Sequence, residues 1–572
     1  MVQIRILKQV LANSALSLFF TSSSSATCLC MPGDPCWPSS STWNQLNSTV
    51  SGRLVATFPL GSPCHDPLYN ETACAALQSG WTDPQLHMES SSSVMAPFFA
   101  NRSCDPFTPV SRPCLLGNYI SYAVNVSCPG DVIAAVKFAK QNSIRLVVRN
   151  TGHDYLGKST GAGALAVWTH YLKDIEVLDW SDSNYEGKAI KMGAGVQGFE
   201  ALATAHEHGL VPITGECPTV GIAGGYTQGG GHSALSTSFG LAADQVLEWE
   251  VVTADGNLVT ATPTHNQDLY WALSGGGGGT FGVVVSMVAK VYPDTIVSGA
   301  TISFNSAETS ADTFYQAVEN FHSLLSDMVD AGAMVIYYFT SAGFQIQPLT
   351  AYNKTREDVE NMLVPLRTSL DDLGIQYTQS YTQSSSYMEH FNTYLGPLPY
   401  GNIPVGIAQY GGRLIPRAAI QQNNSALSKA LRNITEHGVT FIGVGVDVSP
   451  SSHPSFPPSN NSVLPAWRRA LVSATLTTPW NFSAPWEDML ALQDEMTDSI
   501  IPQIEAVTPG SGAYMNEGDF RQPRWQEVFF GENYEALMSV KRKWDPEGVF
   551  WARKSVGSEA WEEGGVGRLC RV

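Results

Sequence analysis

The stretch Arg149-Asn-Thr-Gly-His-Asp-Tyr-Leu-Gly-Lys-Ser159 decides the fold of this chain. It directly follows residues 144–149, an apolar run that is typical of a buried strand. Glycine in such a loop permits positive φ and a close approach of backbone to ligand, and consecutive N–H groups can bind a pyrophosphate. The stretch therefore predicts a loop that binds a phosphate-bearing ligand.

Two further glycine clusters follow along the chain. The first, Cys217-Pro-Thr-Val-Gly-Ile-Ala-Gly-Gly-Tyr-Thr-Gln-Gly-Gly-Gly-His232, is suited to contact a long phosphate-bearing ligand from another side. The second, residues 275–282, contains a formal G-x-G-x-x-G. A nicotinamide-dinucleotide fingerprint needs a strand before these glycines and a helix after them. Here a helix-like run precedes and a β-branched run follows, so we do not interpret this cluster as a nicotinamide site.

His153 and Cys217 each lie inside one of these loops. A loop histidine is usually a hydrogen-bonding residue, and a single buried cysteine is usually a small core residue. Metal ligation is the other alternative, but no second His/Cys cluster stands at ligand spacing, so no metal site is predicted. Both side chains become nucleophiles once deprotonated, and both are expected beside a bound dinucleotide.

The surroundings of the loops predict a mixed α+β chain. Residues 129–142 have helical periodicity with Pro129 in the first turn, and residues 245–262 contain the hairpin signal Asp255-Gly256. From about residue 296, sheet-like runs alternate with amphipathic helices, which predicts a second domain made of a sheet with helices on one face. Residues 506–572 are too few for an independent domain and are expected to pack back onto an earlier one.

Composition excludes several classes of protein. The chain has 572 residues, 43% of them hydrophobic, so global disorder is excluded. Its net charge of −19 repels a phosphate backbone, which excludes nucleic acid as a partner. Only 15% of residues are charged, and N-glycans would help solvate the surface of a secreted chain. Nine Asn-x-Ser/Thr sequons supply candidate sites: Asn47, Asn70, Asn101, Asn125, Asn353, Asn423, Asn433, Asn460 and Asn481.

The N-terminus predicts secretion. Arg5 and Lys8 precede a mostly apolar run, and small residues follow up to Ala26, after which we place signal-peptide cleavage. A frayed start to a cytosolic protein is the alternative. No other segment has the roughly 20 apolar residues of a membrane span, so no membrane association is expected after signal removal. Eight of the ten cysteines lie within the first 128 residues, in a Pro/Ser-rich context that favours disulfides over a zinc site.

Several motifs in order resemble the berberine bridge enzyme-like family of FAD-linked oxidases. The loop 150–159 resembles its histidine loop, and Glu216-Cys-Pro-Thr-Val-Gly resembles its cysteine loop. The stretch 268–283 is similar to its third signature, and Tyr514-Met-Asn516 with 525–546 is similar to its C-terminal segment. The resemblance implies an α+β protein with a two-part FAD-binding domain of the type shared with vanillyl-alcohol oxidase and para-cresol methylhydroxylase (PCMH-type). An α+β substrate domain with an antiparallel sheet completes it.

The resemblance also implies boundaries and a role for each region. They are a signal peptide over 1–26, a Cys/Pro/Ser-rich lead-in over 27–110, an FAD-binding domain over 111–295, a substrate domain over 296–505 and a berberine-like segment over 506–572. The closing residues resemble secreted fungal members in particular.

By the same resemblance, His153 would bond the flavin 8α-methyl carbon and Cys217 would bond C6, giving bicovalent FAD. The remaining expected cofactor-binding residues are Asn150, Thr151, Gly152, Asp154, Gly157, Ser159, Gly221, Gly224, Gly225, Gly229, Gly230, Gly231, His232, Gly282, Val283 and Asn516. With Cys217 attached to flavin, nine cysteines remain. We expect Cys128 to be unpaired and Cys570 to close a bridge back to the lead-in.

The implied reaction is hydride transfer from a small organic substrate to flavin N5, with reoxidation by O₂, in a monomer. Where some plant relatives place a tyrosine after the asparagine of Tyr-x-Asn, this chain has Glu517. Glu517 would serve as a base if burial raised its pKa, and Tyr514 would hydrogen-bond substrate or flavin. Ordinary structural roles are the alternative for both.

Three functions stay open at this point. The first is oxidation of a secondary-metabolite alcohol or amine. The second is oxidation of a carbohydrate, for which Tyr337, Tyr338, Tyr400 and Tyr410 are aromatic residues of the substrate domain able to stack on sugar rings. The third is a flavin-free secreted binding glycoprotein, against which the presence of both His153 and Cys217 argues.

Overall fold

The computed structural model describes residues 28–452 and 460–572. The expected signal peptide over 1–26 lies outside these residues. Within the described ranges, no helix is long and apolar enough to cross a bilayer.

Strands occur throughout the chain. In chain order they are β1 Leu54–Ala56, β2 Tyr122–Asn125, β3 Leu146–Arg149, β4 Leu165–Trp168, β5 Ile175–Ser181, β6 Glu186–Gly193, β7 Leu210–Val211, β8 Val246–Val252, β9 Leu258–Ala261, β10 Val283–Lys290, β11 Tyr292–Pro293, β12 Val297–Asn305, β13 Ala333–Phe339, β14 Gly343–Tyr352, β15 Thr378–Ser384, β16 Ala408–Pro416, β17 Thr440–Gly445, β18 Ala470–Pro479, β19 Trp561–Glu563 and β20 Leu569–Arg571.

Helices connect and cover these strands. They are α1 Ser40–Thr49, α2 Glu71–Gly80, α3 Pro84–Met88, α4 Pro97–Ala100, α5 Pro129–Gln141, α6 Gly198–Glu207, α7 Ser236–Phe239, α8 Gln267–Leu273, α9 Ala311–Asp330, α10 Arg356–Met362, α11 Val364–Asp372, α12 Tyr387–Tyr394, α13 Arg417–Glu436, α14 Trp486–Glu495, α15 Ile501–Val507, α16 Trp525–Phe530 and α17 Tyr534–Trp544.

Two sheets form the glycine-rich half of the molecule. The first has the order β1-β2-β4-β3, with β2, β4 and β3 parallel, and α5 packs its apolar face against it. The second is antiparallel with the order β5-β6-β10-β8-β9, and β8 and β9 form the predicted hairpin. The third glycine cluster lies between α8 and β10, so the helix-before-strand order that argued against a nicotinamide site is confirmed.

The second half is built on a seven-stranded antiparallel sheet in the order β15-β12-β14-β13-β17-β18-β16. Helices α9, α11 and α13 pack on one face around fully buried aromatics such as Phe321 and Phe441. Helices α10 and α11 are separate, because Pro365 in the first turn of α11 has no N–H to donate to the preceding turn. This sheet is the antiparallel α+β unit expected from the sequence.

The C-terminal segment returns to the glycine-rich half. Met515 and Phe529 share a core with Trp249 and Phe281 of that half. The Lys541 ammonium lies in this join and donates to the carbonyls of Thr280 and Phe550 and to the Asp545 carboxylate. The expectation that residues 506–572 pack back onto the first large unit is confirmed.

Four disulfides close the chain: Cys28–Cys570, Cys30–Cys36, Cys64–Cys74 and Cys104–Cys114. Cys128 and Cys217 are free. The expected unpaired Cys128 and the bridge from Cys570 to the lead-in are both confirmed. The lead-in contains regular helices, and α1 and α2 each begin at a side-chain cap, Ser39 and Asn70 respectively.

Candidate functional site

A single cavity brings together the first two glycine loops, the third cluster and the C-terminal segment. The predicted site residues in its wall are Asn150, Thr151, Gly152, His153, Asp154, Ser159, Cys217, Gly221, Gly224, Gly225, Gly282, Tyr514, Asn516 and Glu517. The wall does not include Gly157, Gly229, Gly230, Gly231, His232 or Val283.

These six residues support the wall from behind. Gly157 has φ +74° and a Cβ there would lie 2.5 Å from the Phe99 ring, so this position holds the loop against α4. A Cβ on Gly229 would lie 2.6 Å from the Asn516 amide nitrogen. The carbonyls of Gly230 and Gly231 accept from Ala243 and Ala242. Val283 pairs with Val252 inside the five-stranded sheet, and His232 contacts Glu517.

Thr219 joins the two candidate nucleophiles. Its hydroxyl lies 2.8 Å from His153 Nε2 and 3.3 Å from Cys217 Sγ. Thr219 is fully buried, so its position is fixed by the loop around it. Among the described residues, the protein gives His153 Nδ1 no hydrogen bond, and this nitrogen is left available on a side chain that lines the cavity.

The two nucleophiles differ in protonation. Burial lowers the pKa of His153 to about 4, assisted by the neighbouring His87 and Arg149, so its imidazole is neutral at physiological pH. Burial raises the pKa of the Cys217 thiol, and the hydrogen bond from Thr219 opposes that shift. His153 is therefore ready as a nucleophile, whereas Cys217 has to lose a proton first.

Two acceptor atoms in the cavity wall have no hydrogen-bond partner among the residues that the structure describes. The Asn150 side chain donates to the Ala194 carbonyl, and the Gln228 side chain donates to the Ala223 carbonyl. The opposite oxygen of each amide is buried without a hydrogen bond. Buried acceptors are normally satisfied, so this pair indicates a ligand that carries N–H or O–H donors.

Glycines bring the wall segments together closely enough to form a narrow slot. A Cβ on Gly221 would lie 2.2 Å from the Asn150 amide nitrogen, and a Cβ on Gly278 would lie 3.0 Å from Gly225 Cα. Side chains at these positions would displace the loops. The slot suits a thin ligand that approaches the backbone.

Glu517 belongs to a chain of charged groups in which His232 is buried and the two carboxylates are half-buried. Its Oε1 accepts from His232 Nε2 at 2.8 Å, and its Oε2 accepts from the Thr475 hydroxyl at 2.9 Å. The other ring nitrogen of His232 lies 3.2 Å from Glu216 Oε1. Burial alone would lower the pKa of His232, but the two carboxylates outweigh it and raise that pKa well above its usual range.

The pKa of Glu517 moves in the direction opposite to the sequence-based expectation. Burial acts to raise it, but the charge and hydrogen bond of His232 outweigh burial and lower it. Glu517 is consequently a carboxylate held by an imidazolium, and the condition that burial raises its pKa is not met. Tyr514, whose pKa burial raises, stays a phenol that accepts from the Asn516 amide at 2.7 Å.

Sequence reasoning assigned no role to Tyr155, Lys158 or Gln228, whose side chains belong to the wall. Tyr155 and Tyr410 stack with ring centroids 3.6 Å apart, and the nearby Tyr410 raises the pKa of Tyr155 well above its usual range. Gln228 and Lys158 also line the cavity. Tyr155, Lys158 and Gln228 lie inside the first two glycine clusters. This position in the sequence was the signal that could have identified them as ligand contacts.

Of the four aromatics considered for sugar stacking, Tyr410 alone lines the cavity. Tyr337 is buried in the core of the substrate domain, and Tyr338 and Tyr400 are exposed on the surface. The described residues contain no group of three or more His, Cys, Asp or Glu able to hold a metal ion.

Comparison with known proteins gives a consistent result. A family model described as "FAD binding domain" matches residues 120–262, and one described as "Berberine and berberine like" matches residues 513–557. The FAD-linked oxidoreductase ZEB1 of Gibberella zeae is 56% identical over 96% of this chain and 95% of its own length. The VAO-type flavoprotein oxidase VAO615 of Thermothelomyces thermophilus is 44% identical over 98% of each chain.

This chain belongs to the VAO-type, berberine-like family of FAD-linked oxidoreductases. The crystal structure of the VAO-type flavoprotein MtVAO615 from Myceliophthora thermophila C1 matches with a TM-score of 0.92 and 43% identity, over 96% of this chain and 100% of that one. A glucooligosaccharide oxidase from Acremonium strictum, whose FAD is described as 6-S-cysteinyl and 8α-N1-histidyl, shares the fold at a TM-score of 0.61 and 19% identity, over 77% of this chain and 91% of its own.

The cavity fits the cofactor of this family. The flavin and ribityl groups of FAD carry the N–H and O–H donors that the free oxygens of Asn150 and Gln228 would accept. The glycine slot admits a planar ring system, and His153 and Cys217 both line it. As an FAD-dependent oxidoreductase, the protein acts on a small-molecule substrate.

Proposed function

We propose that this protein is a secreted flavoprotein oxidase with FAD attached to both His153 and Cys217. The observation that carries the proposal is the shared contact of these two side chains with Thr219. A single buried hydroxyl therefore contacts one candidate nucleophile from each of two glycine loops. The packing of an ordinary protein core does not require this arrangement.

His153 is proposed to form its bond through Nδ1. Nε2 is engaged by Thr219, whereas the described residues leave Nδ1 without a hydrogen bond. The N1-histidyl attachment described for the Acremonium strictum oxidase corresponds to this ring nitrogen. The low pKa of His153 keeps the imidazole neutral and nucleophilic.

Bound FAD supplies a hydride acceptor that is then reoxidised by O₂. The protein has to orient the substrate and remove its hydroxyl or ammonium proton. Glu517 is proposed as the group that accepts this proton. It is the carboxylate at the cavity wall whose ionised form is stabilised by the adjacent His232 imidazolium. Tyr514 and Asn516 are proposed to position the substrate or the cofactor beside it.

A carboxylate with a lowered pKa is a weak base, but the imidazolium behind it keeps Glu517 ionised and able to accept a proton. His232 already carries a proton on both ring nitrogens and stays unchanged when Glu517 takes up the substrate proton. The lowered pKa of Glu517 then favours release of that proton to solvent. This arrangement keeps Glu517 ionised between turnovers.

The wall above Glu517 favours an apolar substrate. Ile403, Pro404 and Val405 line it together with the stacked Tyr155 and Tyr410. We therefore propose a secondary-metabolite alcohol or amine. Carbohydrate oxidation is the second candidate, and the specific observation for it is the aromatic platform of Tyr410 in the cavity wall.

Secretion, glycosylation and a monomeric state are part of the proposal. Four disulfides support an oxidising compartment. Seven sequon asparagines are exposed, whereas Asn47 and Asn125 are half-buried, and the Asn125 side-chain oxygen has no partner. Glycans are expected at the exposed seven.

Acid precipitation of the purified protein tests the cofactor. Flavin that stays with the pellet supports covalent attachment, and a colourless protein would support the flavin-free binder and overturn the oxidase. A peroxide-release screen of aromatic and polyketide-like alcohols, amines and oligosaccharides then separates the two substrate classes.

A further inference from the structure

Lys158 contributes the sole lysine or arginine side chain to the cavity wall in the described part of the chain. It lies five residues after His153 in the glycine loop 149–159. Burial lowers the pKa of its ammonium to about 8, against the opposing effect of Asp154. At neutral pH the group is still mostly charged.

Within residues 28–452 and 460–572, Lys158 makes neither an ion pair nor a hydrogen bond, and Asp154 uses its two oxygens for the backbone N–H groups of Leu156 and Ser159. The buried Lys541, by contrast, has a carboxylate and two carbonyls around its ammonium. Lys158 is half-buried and lines the cavity, so an anionic ligand in the cavity could pair with its ammonium.

We propose that the Lys158 ammonium pairs with the pyrophosphate of FAD. The family membership supplies the anion, because FAD carries two phosphates, and the cavity wall supplies no other lysine or arginine to meet them. Backbone N–H groups of the glycine loops share the task, but Lys158 adds the full charge and the salt dependence that they lack. This assignment rests on FAD binding alone and not on covalent attachment or on the oxidase reaction.

The test uses reversible binding in a full-length His153→Ala/Cys217→Ala chain. Affinity for FAD, ADP and riboflavin is titrated by flavin fluorescence and calorimetry, with and without Lys158→Met. We expect Lys158→Met to weaken FAD and ADP binding at least tenfold, to reduce the salt dependence of both, and to leave riboflavin unchanged. Lys158→Arg is expected to restore most of the loss.

Lys188→Met is the matched control, because that lysine is half exposed in a surface ion pair with Asp179. Unchanged FAD and ADP affinity in Lys158→Met would overturn the proposal. An equal loss for riboflavin would also overturn it, because riboflavin has no phosphate. If the His153→Ala/Cys217→Ala chain binds no flavin, Lys158→Met is made in the otherwise unaltered chain and expressed under limiting riboflavin. The flavin-to-protein ratio of the purified variant then tests the pairing. A ratio equal to that of Lys188→Met would refute the pairing.

Discussion

Two histidines serve this cavity in opposite protonation states. His153 lies in the wall with one ring nitrogen hydrogen-bonded to the Thr219 hydroxyl, and burial keeps it neutral with a pKa of about 4. His232 lies behind the wall between two carboxylates, which raise its pKa well above the usual range although it is the more buried of the two. Burial alone would make both neutral, so the neighbouring charges decide the outcome.

The difference separates two kinds of chemistry in one cavity. A neutral imidazole can form a bond to an electrophilic carbon, whereas an imidazolium can hold a carboxylate in its ionised form. We therefore propose that the glycine loops form the attachment end of the site and that the charged chain from Glu216 to Glu517 forms the proton-handling end.

Removing the Glu517 charge tests the proton-handling end, and its effect on kcat is expected to be the largest. With a substrate from the peroxide screen, Glu517→Gln should lower kcat by about 10²- to 10⁴-fold, because the proton acceptor is lost while the shape is kept. Stopped-flow flavin reduction measures the step directly. Glu357→Gln, at an exposed position of α10, is the control. Wild-type reduction rates in Glu517→Gln would remove Glu517 from the mechanism.

Removing the imidazolium is expected to cost the next most. His232→Leu leaves the half-buried Glu216 and Glu517 without their shared cation, so the free energy of unfolding should fall by about 3–5 kcal/mol. Urea unfolding measures the loss. His206→Gln removes an exposed pair with Asp294 and should cost less than about 1 kcal/mol. Equal losses in the two variants would mean that His232 does not carry the predicted charge.

Sequence predicted the attachment end of the site better than the proton-handling end. His153, Cys217 and the glycines that line the slot lie in local motifs, where the chain itself brings the ligand contacts together. The pKa of Glu517 depends on His232, 285 residues away in the chain, and on Thr475 of β18. No local pattern reports such contacts, and an estimate from burial alone gives the wrong direction of shift.

The same reason explains which elements of the fold were found. Strands with β-branched or apolar runs, such as β8, β10 and β13, were recognisable in the sequence. The edge strand β15 (Thr-Gln-Ser-Tyr-Thr-Gln-Ser) is polar and was not, because its place in the sheet comes from pairing with β12. Tyr410 on β16 reaches the cavity through the sheet order, which the sequence does not state.

A smaller effect is expected at the attachment end. Thr219→Val keeps the shape of the side chain but removes the hydroxyl from both His153 and Cys217. A lost hydrogen bond of about 1 kcal/mol should lower the doubly attached flavin fraction severalfold. Peptide mass mapping after acid precipitation measures each bond separately. Thr219→Ser should keep the wild-type fraction, and full attachment in Thr219→Val would show that the shared hydroxyl has no role.

The smallest expected effect tests whether neighbouring charges, rather than burial, cause the difference in pKa between His153 and His232. His322 is fully buried beside the Tyr337 hydroxyl, and burial lowers its pKa to about 4. Its folded-state pKa lies below the unfolded value, so its contribution to stability is present above about pH 6.5 and declines as the pH falls towards 4. The raised pKa of His232 has the opposite sign: its contribution is complete below about pH 6.5 and declines as the pH rises through the folded-state value. The free energy of unfolding of the wild type should therefore fall between pH 6.5 and 5.5, and His322→Gln should make this fall smaller by about 1 kcal/mol. His232→Gln should leave the fall unchanged, and it should instead reduce the loss of unfolding free energy as the pH rises above neutral. Identical pH profiles for the two variants would mean that the carboxylates do not hold the His232 proton.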